Sequence, residues 1–453
     1  MALGVKLSDI VPYTSVFLDC SFLDILFGLN KCTDFLRHQD DGRGNVIQDI
    51  QHLFVTEESP APALVCLSAR SAFDLYLRVC AFPPGSEVIF SAINIPDMAF
   101  IARQHELRVI PCDVDMETLG PRLDLLEELI TASTVAVVVA HVFGRWFDIS
   151  PVISLAQRYR LRVIEDCAEA FCGWECLGDV RSDLVLFSFG PIKFFTAFGG
   201  GVAKVRDRGM FNRMEELHEA YDIQSVDVYL KKLVKCAGVF CLLDVPAIIK
   251  PGMFLTDRLN IDHKRRVVEM LRGFPNDLIR RLRHRPPTAL LEMMLRRFLS
   301  FDSATFWKYS VNGQYIWDRL PDGVMKFGGA AVRNNFWLFP VLVENPKTVA
   351  LELNRTGIDA YIGASQLSVV EPELISLGDS HDDLTGKEAG GKPVAFPVSP
   401  FPTTAKFFMD HVIYLPVNWT VSPDYLERIS VGLHRVVGMF CSAADKAAPN
   451  LGT

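Results

Sequence analysis

Between Thr134 and Ala140 the chain reads Thr-Val-Ala-Val-Val-Val-Ala, with no charged residue. A run of this kind has no face to turn to water, so it suits a strand covered on both sides. The neighbouring sequence supplies the cover. Ala63–Leu67, Glu87–Ser91, Arg108–Pro111, Arg162–Glu165 and Asp183–Ser188 read as short strands, with Gly201–Val205 as a further one. Ser71–Cys80, a segment holding Ala99–His105, Leu123–Thr131 and Ile149–Tyr159 read as the helices between them. Strands alternating with helices of about ten residues predict an α/β domain with a mainly parallel sheet. Ser68, Asn94, His141 and Asp166 then stand just beyond strand ends, where open sheets bind ligands.

At 453 residues the chain exceeds the usual size of one core. Residues 1–60 read as an N-terminal segment of helix and loop, with turn signals at Asp41–Asn45 and Pro60–Pro62. The large domain spans 61–255, and a basic helical region containing the helix Ala289–Phe298 spans 256–325. A smaller C-terminal α+β domain occupies 326–440, with strands at Phe336–Val343 and Val412–Val417 and helices at Thr348–Thr356 and Pro423–Val437. Gly378–Lys392 reads as an exposed loop, and 441–453 as a flexible tail.

A net charge of −8 argues against nucleic acid as a partner. The basic clusters His263–Arg266 and Arg280–Arg285 read as solvated helix faces or as phosphate or anionic-lipid contacts. The 11 cysteines lie largely in apolar runs, as reduced thiols of an intracellular protein do. Cys167, Cys172 and Cys176 cluster without the paired spacing of a zinc site. No basic leader precedes a clean apolar run, so a cytoplasmic location is expected. The apolar stretch Val239–Ile249 is interrupted by Asp244 and Pro246 and is too short to span a bilayer. With flanking lysines, residues 229–255 read as a core or interface helix, or as a peripheral membrane contact.

The chemistry concentrates at Asp166 and Lys193. Asp166 ends an apolar strand, where a carboxylate demands a cation. Lys193 follows 27 positions later in Ser188-Phe189-Gly190-Pro191-Ile192-Lys193, among Phe194, Phe195 and Phe198. A protonated pyridine nitrogen satisfies such a carboxylate, and a desolvated lysine amine attaches the aldehyde of the same ring, so the pair points to pyridoxal 5′-phosphate. Taken singly, Asp166 also reads as a helix cap or ion-pair partner, and Lys193 as a snorkelling lysine. Ser68-Ala69-Arg70-Ser71 runs into a helix start, an arrangement for holding a phosphate or for simple capping. Ser188 is placed to reach the same phosphate. Gly199–Gly201 lets the backbone turn back into the sheet. His141 reads as a group beside the ring or as a core histidine. Hydrolase, zinc-protease and P-loop signatures are missing.

These motifs together resemble the DegT/DnrJ/EryC1/StrS family of sugar aminotransferases of fold type I. The similarity rests on Pro84–Ile89, Val109–Asp115, His141–Asp148, Val163–Ala170 and Phe187–Lys193, with Trp337–Pro340 and Tyr414–Val417 in the small domain. The resemblance implies that Asp166 pairs with the pyridine nitrogen and Lys193 bonds the cofactor. Ser188, Ala69 and Arg70 would surround the phosphate, Asn94 and Ile95 lie over the ring, and Glu169 stand near the ring hydroxyl. It further implies a homodimer, glutamate or glutamine as donor, and a keto sugar, typically nucleotide-linked, as acceptor. The chain departs from the family pattern in four places. Ala69-Arg70 replaces Gly-Thr, Ile95 replaces an aromatic residue, Glu169 replaces glutamine, and no Gly-x-Asn-x-Arg segment follows the glycines. The expectation is therefore a pyridoxal-phosphate-dependent aminotransferase. Its rivals are a lyase or decarboxylase using the same cofactor, and a catalytically impaired, membrane-proximal binding or regulatory subunit.

Overall fold

The computed structural model describes residues 13–35, 42–244, 277–376, 395–397 and 399–447. Its first nine strands are β1 (Ala63–Cys66), β2 (Glu87–Ser91), β3 (Ile93–Asn94), β4 (Arg108–Cys112), β5 (Thr134–Ala140), β6 (Arg145–Trp146), β7 (Arg162–Asp166), β8 (Leu184–Ser188) and β9 (Gly201–Val205). Seven of them form one sheet in the order β1-β9-β8-β7-β5-β2-β4. The neighbours from β4 to β8 run parallel, and β9 lies antiparallel to both β8 and β1. The expected mainly parallel α/β sheet is thus present, and β5 sits inside it with all but Val135 fully buried.

The helices of this domain are α1 (Phe22–Phe35), α2 (Arg43–Phe54), α3 (Ala69–Cys80), α4 (Pro96–Gln104), α5 (Leu123–Leu129), α6 (Ser150–Arg158), α7 (Arg208–Glu219) and α8 (Val226–Asp244). Side chains alternate across a strand. Val88, Phe90, Val138, Ile164 and Leu186 therefore pack with α3 and α4 on one face. Ile89, Val137, Val139 and Val163 pack with α6 on the other. The register pairs Val139 with Glu165 and Ala140 with Asp166. Glu165 and Asp166 consequently point to opposite faces, and only Asp166 shares a face with the start of α3.

Beyond the sheet come α9 (Leu278–Leu282), α10 (Thr288–Leu299), α11 (Ser303–Trp317), α12 (Pro346–Arg355), α13 (Thr403–His411) and α14 (Pro423–Ala447). The short strands there are β10 (Arg333–Asn334), β11 (Phe339–Leu342), β12 (Ser368–Val369), β13 (Leu374–Ser376), β14 (Ala395–Pro397) and β15 (Val412–Leu415). β11 and β15 pair antiparallel, and Val341, Ile413, Leu353, Ile429 and Leu433 form a separate core with α12 and α14. Two separate two-stranded ladders, β3–β12 and β6–β10, join this C-terminal unit to segments that follow β2 and β5. Asp113, just past β4, accepts the Thr404 and Ala405 N–H groups at 2.8 Å each and so caps α13.

On α8 the residues Tyr229, Leu233, Cys236 and Val239 recur at helical spacing and are all buried, packed against α1 and α10. The apolar stripe of residues 229–239 is therefore spent inside the protein. No described helix is long and apolar enough to cross a membrane. Residues 245–255, the cluster His263–Arg266, the loop Gly378–Lys392 and the end of the tail lie outside the described residues. In the second basic cluster, Arg283 bonds Asp74 at 2.9 and 3.0 Å and Arg285 donates to Tyr221 O, while Arg280 and Arg281 are exposed.

Candidate active site

Asp166 is 6 % exposed and accepts a hydrogen bond from the Ala168 N–H at 3.1 Å. Burial pushes its carboxyl above the ordinary range. The nearby Lys193 ammonium pulls the other way and the Glu169 carboxylate adds to the rise. Lys193 Nζ donates to Glu169 Oε1 at 3.1 Å, and the other Glu169 oxygen accepts the Phe143 N–H at 3.1 Å. Two sheltered carboxylates thus face one ammonium. Ionised together, the three groups would carry one more negative than positive charge, which a cationic ligand would balance.

The loop bearing Lys193 is fixed from several directions. Lys193 N–H returns to Gly190 O, and the Ala197 and Gly199 N–H groups both return to Phe189 O. Asp19 accepts the Phe195 N–H at 2.9 Å, Arg297 on α10 donates to Thr196 O at 3.0 Å, and Tyr229 on α8 donates to Ala197 O at 3.0 Å. Phe195 and Phe198 are held at φ 57° and 62°, in the left-handed region that non-glycine residues rarely adopt. Such strain persists only where surrounding contacts over-determine the backbone.

Trp337 stands over the lysine, its ring centroid 5.4 Å from Nζ. A buried asparagine places it. Asn335 donates to Phe171 O at 3.0 Å and accepts the Trp337 N–H at 2.9 Å. Gly144, at φ 77°, makes room for that asparagine, because a Cβ there would fall 1.7 Å from Asn335 Oδ1.

At the start of α3, Ser68 caps the helix by accepting the Ser71 N–H at 3.1 Å, and the two serine hydroxyls lie 2.9 Å apart. The amides of Ala69 and Arg70 head the helix. The backbone of Gly201 presses against them, since a Cβ on Gly201 would stand 2.4 Å from Ala69 N. Ser188, ending β8, projects on the same face of the sheet as Asp166. Arg70 is bonded to Asp97 on α4. A second cation approaches from α8: Lys232 Nζ lies 3.4 Å from where a Cβ on Gly199 would be, and it senses the charge of Arg70. Lys232 keeps part of its stem at the surface, but burial of its amine lowers the pKa to about 8.

Asn94 is 1 % exposed; its Oδ1 accepts the Ile95 N–H at 2.7 Å and its Nδ2 has no partner. Ile95, half-buried, is the residue preceding α4. His141 is turned to the opposite face. Its Nε2 bonds Glu165 at 3.0 Å, and its ring lies 4.6 Å from both Trp146 and Phe147. The structure therefore gathers Asp166, Glu169 and Lys193 into one cluster, sets Ser68–Ser71 and Ser188 on the same face, and places His141 behind the sheet. Sequence reasoning did not find Asp19, Arg297, Lys232 or the position of Trp337. Their contacts span 176 residues for Asp19–Phe195 and 101 for Thr196–Arg297, so no local pattern marks them.

Residues 28–230 match the profile of the DegT/DnrJ/EryC1/StrS aminotransferase family. GDP-perosamine synthase of Escherichia coli O157:H7 is 29 % identical over 193 residues, covering 41 % of this chain and 51 % of that protein. UDP-4-amino-4-deoxy-L-arabinose–oxoglutarate aminotransferase of Shewanella sediminis is 30 % identical over 195 residues, covering 42 % and 49 %. The chain spans about half the length of the curated relatives it matches. In three dimensions the likeness is broader. Bacillus subtilis NtdA, solved with bound cofactor PMP, superposes with a TM-score of 0.59 at 15 % identity, covering 96 % of this chain and 85 % of that one. At that identity the match establishes the fold.

Proposed function

We propose, from the match of residues 28–230 to the DegT/DnrJ/EryC1/StrS aminotransferase family, that this chain is a member of that family and a pyridoxal-phosphate-dependent aminotransferase. It transfers an amino group from glutamate or glutamine to a keto sugar, nucleotide-linked, and works as a cytoplasmic homodimer. The observation that carries the reading is the charge imbalance at Asp166, Glu169 and Lys193, which a protonated pyridine nitrogen would cancel. The unpartnered Nδ2 of Asn94 and the narrow cradle between Gly201 and Ala69 also fit that ligand.

Pyridoxal phosphate, when bound, supplies an electron sink that labilises bonds at a substrate α-carbon. Asp166 would hold the ring nitrogen protonated, because without such a cation its carboxylate is buried and only partly compensated. Lys193 Nζ would be the amine that holds the cofactor, and the same nitrogen would serve as the base that moves the α-proton of the amino donor. Glu169 orients that amine through the 3.1 Å contact, and Trp337 closes over it against water. The α3 amides and the Ser188 hydroxyl would hold the phosphate, with Arg70 and Lys232 adding positive charge. The oxoglutarate and nucleotide-sugar names of the relatives support the choice of donor and acceptor.

Reconstitution tests this reading. The protein mixed with pyridoxal phosphate is expected to develop the visible absorbance of lysine-bound cofactor, which Lys193→Ala lacks. Adding glutamate should bleach the band and release 2-oxoglutarate. A wild-type protein that forms no such band defeats the proposal, and a band unresponsive to amino donors defeats its transamination part.

A further inference from the structure

Four separate points of the chain meet around one cavity. Ser21, Phe240, Ser300 and Phe306 all line a space of about 560 Å³. α1 starts just after Ser21, α10 stops just before Ser300, and Phe240 and Phe306 lie on α8 and α11. The neighbour of each lining residue is turned to water. Phe22 is 55 % exposed, Leu299 69 % and Trp307 66 %, and Cys241 is exposed as well. Leu23 and Leu26, further along α1, are 65 % and 45 % exposed.

The seat of α1 explains that exposure. A Cβ on Gly28 would stand 2.8 Å from Met293 Cε and 3.0 Å from Leu233 Cδ1, so this side of the helix is pressed on α8 and α10. At about 3.6 residues per turn, Phe22, Leu23 and Leu26 fall on the far side and turn away from the core. Single exposed apolar residues are ordinary on a protein surface. Large ones contributed by three helices around one cavity make a patch, and such patches mark contact sites.

We propose that this patch docks on the surface of a lipid bilayer, with Phe22, Leu23, Leu26, Leu299 and Trp307 entering the boundary between headgroups and acyl chains. No described helix is long and apolar enough to cross a membrane, so the contact lies in the plane of the interface. A tryptophan ring, apolar with one polar N–H, suits that boundary. Lys235 on α8 and Lys308 beside Trp307 are exposed and make no ion pair among the described residues. Asp302, an acid on the same rim, caps α11 by accepting the Ala304 N–H at 2.9 Å. Anionic headgroups would neutralise the two free lysines. A second copy of the chain, docked through the same patch about a two-fold axis, would instead bring like charges together. The sequence that follows α8 has the matching character, since Val245-Pro246-Ala247-Ile248-Ile249 is apolar and closes on Lys250. The inference concerns where the protein works and does not depend on the proposed reaction.

The test mixes the full chain with vesicles of phosphatidylcholine and phosphatidylglycerol and measures the fraction that sediments with them. Wild type is expected to sediment, less so as salt is raised. The double variant Leu23→Asp with Leu299→Asp should lower the partition about 10-fold or more. Val431→Asp, at a 57 % exposed position on α14, is the control and should bind as wild type does. In wild type, vesicles with brominated acyl chains should quench tryptophan fluorescence, and Trp307→Phe should remove most of that quenching. Wild type that stays in the supernatant overturns the proposal, as does a double variant that binds undiminished or a control that loses as much. Self-association that the double substitution abolishes, with vesicles left unbound, would assign the patch to a second copy and also overturn it. The sedimentation and quenching of wild type need no substitution, so a misfolded variant does not spoil the test.

Discussion

Replacing Asp166 with asparagine should make the cofactor-free protein more stable and the cofactor-loaded protein less so. Asparagine keeps the shape and can still accept the Ala168 N–H, so the change removes charge with little loss of packing. Without cofactor, the Asp166 and Glu169 carboxylates share the Lys193 ammonium, which already bonds Glu169. Replacing a whole buried ion pair by apolar residues of like volume is neutral or stabilising by about 1–4 kcal/mol, and the relief expected from neutralising the surplus carboxylate, with the Lys193–Glu169 pair left intact, lies within that range. Partial compensation by Lys193 places this case near the lower end, about 1–2 kcal/mol. At about 2–4 °C per kcal/mol in a sizeable domain, the cofactor-free variant should melt a few degrees above wild type. Because the folded Asp166 has a raised pKa, its penalty is absent below the unfolded value of 3.8 and grows as pH rises through the folded value. The advantage of the variant should therefore shrink on acidification. With saturating pyridoxal phosphate the order should reverse, since wild type gains the larger binding stabilisation. Scanning calorimetry from pH 5 to 8, with and without cofactor, measures each step. A cofactor-free variant that melts below wild type at pH 8, or an equal gain from cofactor in both proteins, refutes the reasoning.

Lys232→Met, which keeps the stem, should weaken pyridoxal phosphate about 10-fold or more, the equivalent of one lost charge-assisted contact of about 1.5–3 kcal/mol. Pyridoxal without phosphate should bind unchanged, and equal losses for both ligands in fluorescence titrations would remove Lys232 from the phosphate site. Burial, with Arg285 and Arg43 nearby, holds buried His218 down at about 4 from an ordinary 6.5. The unfolded chain therefore takes up this proton first, and stability that is full above pH 6.5 should fall by about 3 kcal/mol on approaching pH 4. His218→Gln should flatten that part of the urea-midpoint profile, and an unaltered slope would contradict the assignment. Gly144→Ala forces both a left-handed alanine and a clash with Asn335. A loss of about 1–3 kcal/mol in urea unfolding is expected, and a neutral result would mean that Asn335 moves aside freely.

The central sheet was legible because its signals are local. An unbroken apolar run such as Thr134–Ala140 has few solutions, and Glu87–Ser91 matches its strand end to end. The mainly parallel arrangement followed from the alternation, as did the polar positions at the strand ends. The neighbourhood of Asp166 was partly legible, since strand periodicity alone assigns Asp166 and Glu165 to opposite faces. His141 stands just past the end of β5, where strand parity no longer binds, and only the structure shows it turned behind the sheet to Glu165. The groups that steady Lys193 could not be read in advance. Asp19, Tyr229 and Arg297 reach it from three separate elements, and each is an ordinary residue in its own local sequence. Asn335 and Trp337 were visible only as part of a strand-like stretch, because their role depends on the hole left at Gly144.

The bracing of the lysine loop also has a temporal side. During synthesis the ribosome delivers Lys193 long before Arg297, whose guanidinium holds Thr196 from 101 residues downstream. A nascent chain that has emerged only as far as β9 has its sheet but lacks two of the three fasteners, Tyr229 and Arg297. On the proposed reading, coenzyme capture should wait until α10 has left the exit tunnel, and truncated translation products that end before it should be released without the ability to retain the coenzyme.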